Sequence, residues 1–136
     1  MVKDDCIFCK LANGVFPTNT VYEDDDFRVI LDIEPATKGH CLILPKNHYK
    51  DLSELDDEVG AKVMPLAKKI MGLMKEKLHC DGLNLVQNNG EVAGQTVFHF
   101  HLHIIPRYNN DNQHIDWEKT SPSEEEMKDL LASLKQ

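Results

Sequence analysis

Three histidines alternate with apolar residues in the stretch Phe98-His99-Phe100-His101-Leu102-His103-Ile104-Ile105. Successive side chains of a β-strand point to opposite faces of the sheet, so a strand would carry all three imidazoles on one face and the apolar side chains on the other. A helix, which turns by about 100° per residue, would direct His101 away from the other two histidines. The spacing therefore predicts a strand over residues 98–105, with one face in the core and one titratable face.

The composition of the chain is that of a globular protein. Of its 136 residues, 41% are hydrophobic and 28% are charged, which predicts a single domain over residues 1–136 with a sizeable core. The net charge is -8 and no segment concentrates lysine and arginine, so a nucleic-acid partner is not expected. No stretch approaches the roughly 20 apolar residues of a membrane span, and residues 1–5 lack the features of a secretory signal. We therefore expect a cytoplasmic protein without a membrane partner.

The rest of the chain predicts further strands and helices. Strands are expected over residues 20–23, 27–33, 41–44 and 82–86, and helices over residues 6–13, 53–78 and from 124 onward. The strands come mostly in adjacent groups with few crossover helices between them. This order favours an α+β fold with an antiparallel sheet.

Two of the predicted helices carry clear apolar stripes. The stripe of the long helix consists of Val59, Val63, Leu66, Ile70 and Leu73. Pro65 is expected to kink this helix or to mark a late start, because proline lacks the N–H that a helix interior needs. The last helix has the cap sequence Ser121-Pro122-Ser123 and the stripe Met127, Leu130, Leu131 and Leu134. Serine followed three residues later by glutamate is typical of a capped helix start.

The spacing of the three histidines also limits their chemistry. Neighbours on one face of a strand lie about 6.6 Å apart, so two of them could share a metal ion, whereas all three would reach one ion only with difficulty. A nucleophilic role suits the middle residue, His101, because neutral imidazole is a good nucleophile near physiological pH. Its neighbours could then contact a bound phosphate or anchor the strand.

A polar segment, residues 88–96, directly precedes the histidines. It contains Gly90 and Gly94 together with amide and hydroxyl side chains. Glycine allows the backbone to approach a phosphate closely, and backbone N–H groups bind anions. The segment could therefore be a phosphate-binding loop or simply a polar turn, and it matches neither a P-loop nor a dinucleotide-binding motif.

The chain as a whole resembles the histidine triad (HIT) superfamily of nucleotide hydrolases and transferases, in particular its bacterial branch. The residues that carry the resemblance are His99 to Ile105, which match the motif His-φ-His-φ-His-φ-φ, and, in family order, Cys6 to Lys10, Asp32-Ile33, Thr37 to His40, Pro45 to His48 and Gly94 to Val97. They span residues 6–107. The tail, residues 108–136, departs from the phosphoramidase branch, whose Trp-Gly pair near the C-terminus is not found here; the only tryptophan is Trp117.

The resemblance implies roles for individual residues. His101 would attack the α-phosphorus of a purine nucleotide to form a nucleotidyl-histidine that water hydrolyses. His103 would contact the phosphate or the leaving group, and His40 would order the triad. Asp32 would bind the ribose hydroxyls, with two acceptor oxygens suited to a vicinal diol. The residues implied for the purine pocket are Phe8, Leu11 and Ile33, and those implied as phosphate and ribose donors are Asn88, Gln95 and Thr96.

The four cysteines, Cys6, Cys9, Cys41 and Cys80, are expected to be thiols or metal ligands in a cytosolic chain. Some branches of the superfamily carry a structural zinc, and the resemblance implies that its ligands here are Cys6, Cys9, His48 and His99. His99 would then hold zinc and take no part in catalysis. The alternatives are a reduced thiol pair that binds nothing and, less favoured because no βαβ pattern surrounds it, a redox-active pair.

The resemblance also implies a fold and a leading function. We expect a five-stranded antiparallel sheet with a long central helix and a C-terminal helix, in a homodimer formed through the long helix and a strand. The leading function is a phosphoramidase-like purine nucleotide hydrolase. Rival hypotheses are a dinucleoside polyphosphate hydrolase, zinc-dependent hydrolysis at the histidine row, and a nucleotide-binding adaptor with little turnover.

Overall fold

The predicted strands pair into one antiparallel sheet in the computed structural model, which describes residues 1–135. The strands are β1 (Thr20–Glu23), β2 (Phe27–Leu31), β3 (Cys41–Pro45), β4 (Gly82–Val86) and β5 (Leu102–Arg107). Their order across the sheet is β1-β2-β3-β5-β4, and every neighbouring pair is antiparallel. The helices are α1 (Ile7–Ala12), α2 (Asp57–Leu78) and α3 (Glu124–Leu134), with short 3₁₀ turns at Leu52–Glu54 and Glu91–Ala93. The expectation of a five-stranded α+β fold is confirmed.

The two faces of the sheet are covered by different helices. Val29, Ile43 and Ile104 belong to the larger core, which includes the buried side chains of α2. Ile30 and Leu42, on the alternate positions, belong to a smaller cluster against α1. His103 lies opposite Leu42 in the β3–β5 ladder, and directly opposed residues of an antiparallel pair share a face. The site that contains His103 therefore lies on the α1 face.

The predicted strand over residues 98–105 is wrong at its start. β5 begins at Leu102, so His99 and His101 precede the sheet. In the register of the ladder, Phe100 would lie opposite Pro45, the last residue of β3. Proline has no N–H to continue a ladder, and the N–H of Phe100 instead donates to the carbonyl of Tyr49 over 2.6 Å. The alternation nevertheless brings the rings of His101 and His103 together, with centroids 5.0 Å apart.

The structure also differs from the prediction at β2 and at the long helix. β2 ends at Leu31, so Asp32 and Ile33 lie beyond its end. The long helix begins at Asp57 and not at residue 53, because the preceding 3₁₀ turn is separate. Pro65 lies inside α2, so it does not mark a late start.

Helix α3 begins as its sequence predicts but buries none of its residues. Ser123 and Glu126 form the reciprocal capping box. The stripe consists of Met127, Leu130, Leu131 and Leu134, which are between 54% and 80% exposed. None of the helices within residues 1–135 is long and apolar enough to cross a membrane.

Candidate active site and metal centre

A cavity of about 910 Å³ opens on the α1 face of the sheet. Its lining includes Ile7, Phe8 and Leu11 of α1, Thr18 and Asn19 before β1, Ile30 to Glu34 at the end of β2, Leu42 of β3, Asn88, Gly94, Thr96 and Val97 of the polar segment, and His101 and His103. The structure therefore places eight predicted site residues in one cavity: Phe8, Leu11, Asp32, Ile33, Asn88, Thr96, His101 and His103. Two other predicted residues, His40 and Gln95, lie outside its lining.

The ring of His101 is held in one tautomer by a backbone carbonyl. Its Nδ1 lies 2.7 Å from the carbonyl oxygen of His99. A carbonyl oxygen only accepts hydrogen bonds, so Nδ1 carries the proton and Nε2 keeps its lone pair. His101 is 8% exposed, and burial lowers the pKa of its imidazole. The ring is therefore neutral at pH 7, with Nε2 free to act as a nucleophile.

His103 and His40 form the next part of the site, a hydrogen-bonded pair. The backbone N–H of Ala36 donates to Nδ1 of His40 over 2.9 Å, so the proton of neutral His40 is on Nε2. Nε2 of His40 lies 2.9 Å from Nδ1 of His103, which must then accept. By the same reasoning His103 carries its proton on Nε2. Burial is the main cause that lowers the pKa of both rings, to about 4 for His103. His103 is thus a neutral hydrogen-bond donor on the cavity wall.

Asp32 lies beside this pair at the end of β2. Its Oδ1 accepts the N–H of Glu34 over 2.9 Å, and its Oδ2 lies 3.6 Å from Nε2 of His40. Asp32, His40 and His103 are close enough together to suggest a metal site. However, metal binding at Nε2 of His40 would move the proton to Nδ1, where it would face the N–H of Ala36. The hydrogen bonds therefore favour protons, and not a metal ion, between His40 and His103, and the carboxylate of Asp32 stays available to the cavity.

The buried side chain of Gln95 holds the polar segment in place through hydrogen bonds to the backbone. Its side chain is 2% exposed; Oε1 accepts the N–H of Gly90 over 2.8 Å, and Nε2 donates to the carbonyls of Lys50 and Val97 over 2.8 and 3.1 Å. Its side-chain amide is thus committed to the protein backbone. Gly94 has a φ of +100°, which favours glycine, and a Cβ atom at this position would lie 3.3 Å from Nδ2 of Asn88.

The predicted zinc ligands converge at a separate cluster. The Sγ atoms of Cys6 and Cys9 lie 3.4 and 3.5 Å from Nδ1 of His99, and Sγ of Cys9 lies 3.4 Å from Nδ1 of His48. Tetrahedral zinc with ordinary Zn–S and Zn–N bonds separates sulfur from nitrogen by about 3.5 Å. Nε2 of His99 donates to the carbonyl of Pro45 over 2.9 Å, which leaves Nδ1 unprotonated and directed at the thiols. The donor set and its tautomer fit zinc.

The histidine row is divided between the Cys/His cluster and the cavity. His99 turns towards Cys6 and Cys9, whereas His101 and His103 line the cavity. A single metal ion shared by the row is therefore not supported. Sequence reasoning missed the cavity residues Thr18 and Asn19, which belong to no motif, and the backbone groups that fix the tautomers. Backbone carbonyls occur in every residue and N–H groups in every residue except proline, so no sequence signal could have identified them.

Comparison with known proteins places these residues in a family context. A model described as HIT domain matches residues 13–110. An uncharacterized HIT-like protein of Methanocaldococcus jannaschii is 48% identical over 79% of this chain and 83% of that protein. An adenosine 5'-monophosphoramidase of Schizosaccharomyces pombe is 39% identical over 92% of each chain. The crystal structure of a Zn-bound histidine triad family protein from Mycobacterium smegmatis is 40% identical, with a TM-score of 0.77 over 95% of this chain and 91% of that chain.

Proposed function

Because the chain belongs to the histidine triad family, we propose that it is a purine nucleotide hydrolase or transferase that acts at the α-phosphate. The observation that carries this proposal is the state of His101, a neutral ring on the cavity wall with its Nδ1 proton held by the carbonyl of His99. The relative from Schizosaccharomyces pombe, named as a monophosphoramidase, supports a phosphoramidase-like activity.

In the first step, Nε2 of His101 attacks the α-phosphorus, and the bond from phosphorus to the leaving oxygen or nitrogen breaks as the phosphorus–nitrogen bond forms. The fixed ring removes much of the entropic cost of this attack. The Nε2–H of His103 donates a hydrogen bond to the phosphate or the leaving atom, and either His103 or bound water supplies the proton that the leaving atom takes up; the water that attacks in the second step releases a proton that replaces it. In the second step, water attacks the nucleotidyl-His101, releasing the nucleotide and free imidazole.

The other walls of the cavity would bind the nucleoside. The carboxylate of Asp32 would accept hydrogen bonds from both ribose hydroxyls; the N–H of Glu34 uses only one of its acceptor positions, which supports this role. The apolar side chains of Phe8, Leu11 and Ile33 would hold the purine ring. Asn88 and Thr96 would donate to the phosphate. Gln95 would contribute indirectly, by holding the polar segment in place.

We also propose that one zinc ion is bound by Cys6, Cys9, His48 and His99. The S–N distances and the tautomer of His99 support this, as does the Zn-bound relative from Mycobacterium smegmatis. When bound, zinc would tie the N-terminal segment to the sheet as a closed structural site. The expected homodimer, formed through the long helix and a strand, stays a prediction; the strands at the two edges of the sheet are β1 and β4. A cytoplasmic location also stays a prediction.

The experiment that tests the proposed function combines a substrate panel with trapping of the intermediate. The panel contains adenosine phosphoramidate, diadenosine polyphosphate and adenylyl-lysine compounds. Rapid denaturing quench at alkaline pH, with substrate labelled in its α-phosphate, is expected to leave label on the wild-type protein that later acid treatment removes, and none on His101→Ala. His101→Ala should lose several decades, roughly 10³-fold or more, in kcat, with AMP binding retained. Turnover of the best substrate at a near wild-type rate by His101→Ala would refute the mechanism, and tight AMP binding without turnover of any substrate would favour the adaptor.

A further inference from the structure

Helix α1 is shared by the metal cluster and the nucleotide cavity. Cys6 is its N-cap, and Cys9 lies one turn later, so both thiols lie at one end of the helix. Phe8, between them, lines the cavity. Its ring packs edge-on against the ring of His101 with centroids 4.9 Å apart, and lies 6.1 Å from the ring of His99. The side chain next to the nucleophile is therefore carried by the same turn of helix as two metal ligands.

Phe8 and Leu11 pack on the smaller core cluster, and the position of this turn otherwise depends on the contacts at the two ends of the helix. α1 has only six residues, far fewer than an isolated helix needs to be stable in water. Its C-terminal end is fixed by Asn13, whose Nδ2 donates to the carbonyls of Cys9 and Lys46 over 2.8 Å, and by the buried Ala12. At its N-terminal end the thiols face His48 and His99 from the sheet side. A metal ion bound there would fix the end of the helix that carries Phe8.

A second connection runs through the main chain of His99. Its Nδ1 faces the thiols, its Nε2 donates to the carbonyl of Pro45, and its own carbonyl accepts the Nδ1 proton of His101. A metal ion that fixes the ring of His99 would thus also restrain the carbonyl that selects the tautomer of His101. Both connections end at the same imidazole.

We propose that metal occupancy of the cluster Cys6, Cys9, His48 and His99 raises the affinity of the cavity for a purine nucleotide, with Phe8 as the positioning residue that transmits most of the effect. The proposal rests on the nucleotide function proposed above. Coupling between two binding sites is reciprocal, so the nucleotide must raise the affinity for the metal by the same factor. We expect a factor of about 10, within the usual range for coupled sites.

The reciprocal effect can be measured on the zinc-loaded full chain without turnover. Zinc affinity is determined by competition with a chromophoric chelator, with and without saturating AMP, and AMP affinity is determined by calorimetry at high and low free zinc. Wild-type protein should show the same increase of about tenfold in both measurements. Phe8→Leu keeps an apolar side chain but removes the ring, and its coupling factor should fall towards 1. Phe8→Tyr keeps the ring and should restore the coupling.

The matched control is Phe16→Leu, because Phe16 is partly exposed and lies outside the cavity lining. This variant should keep the wild-type coupling factor. Equal zinc affinity with and without AMP in the wild-type protein overturns the proposal, and unchanged coupling in Phe8→Leu overturns the role of Phe8. Failure of AMP to bind at any zinc concentration refutes the nucleotide function itself. AMP binding that ignores zinc leaves that function intact and refutes only the coupling.

Discussion

Asp32 offers the sharpest test of how the cavity recognises its ligand. The carboxylate lies on the cavity lining, and one of its oxygens accepts the N–H of Glu34 while the other approaches His40 without a hydrogen bond at 3.6 Å. It therefore has acceptor capacity left for two ribose hydroxyls. Removing the 2′-hydroxyl deletes one hydrogen bond to a charged group, which contributes about 1.5–3 kcal/mol.

Wild-type protein should therefore bind AMP about 10- to 100-fold more tightly than 2′-deoxy-AMP. Asp32→Ala should bind AMP much more weakly but lose this discrimination, so that the two nucleotides bind equally. Isothermal titration calorimetry with both nucleotides measures the ratio directly, and the melting temperature of each variant reports whether the fold is intact. Asp25→Ala is the control, because Asp25 is exposed and outside the cavity. Equal losses of AMP and 2′-deoxy-AMP affinity in Asp32→Ala would show that Asp32 does not contact the diol.

Two further predictions concern the metal and the pH dependence of stability. Elemental analysis of protein purified without chelator should find close to one zinc per chain. Cys9→Ala should lose the zinc, and its melting temperature should fall by roughly 4 °C for each kcal/mol of lost stability. Cys80→Ala, which lies outside the cluster, should keep the zinc. Burial lowers the pKa of His103 to about 4, against roughly 6.5 in the unfolded chain. Between these two values the unfolded state binds more protons than the folded state. The free energy of unfolding must therefore fall as the pH decreases from about 6.5 towards 4. Urea unfolding across this pH range should show that the free energy of unfolding of His103→Gln declines less steeply than that of the wild type. An identical decline would contradict the lowered pKa of His103.

The sequence was most informative where one local pattern sufficed. Strands β1 and β4 have the predicted bounds, and the serine–glutamate spacing predicted the capped start of α3. The prediction failed where the neighbouring chain decides the outcome, as at the start of β5, where the ladder with β3 stops at Leu102 and the N–H of Phe100 donates to the carbonyl of Tyr49 instead. Gln95 shows the same limit, because the sequence of its loop leaves open whether the side-chain amide binds a ligand or, as here, the carbonyls of Lys50 and Val97.

By itself the sequence determined the elements of the sheet, the alternation that separates the histidines from the core, and the residue types available for nucleophilic and metal chemistry. Only the tertiary structure shows that the rings of His101 and His103 line the cavity while the ring of His99 faces the thiols. Cys6 and His99 are 93 positions apart, yet lie 3.4 Å apart across the metal cluster. The free nitrogen of each ring is selected by the carbonyls of His99 and Pro45 and the N–H of Ala36. Carbonyls exist in every residue and N–H groups in every residue except proline, and only their position in the folded chain directs them at a particular imidazole.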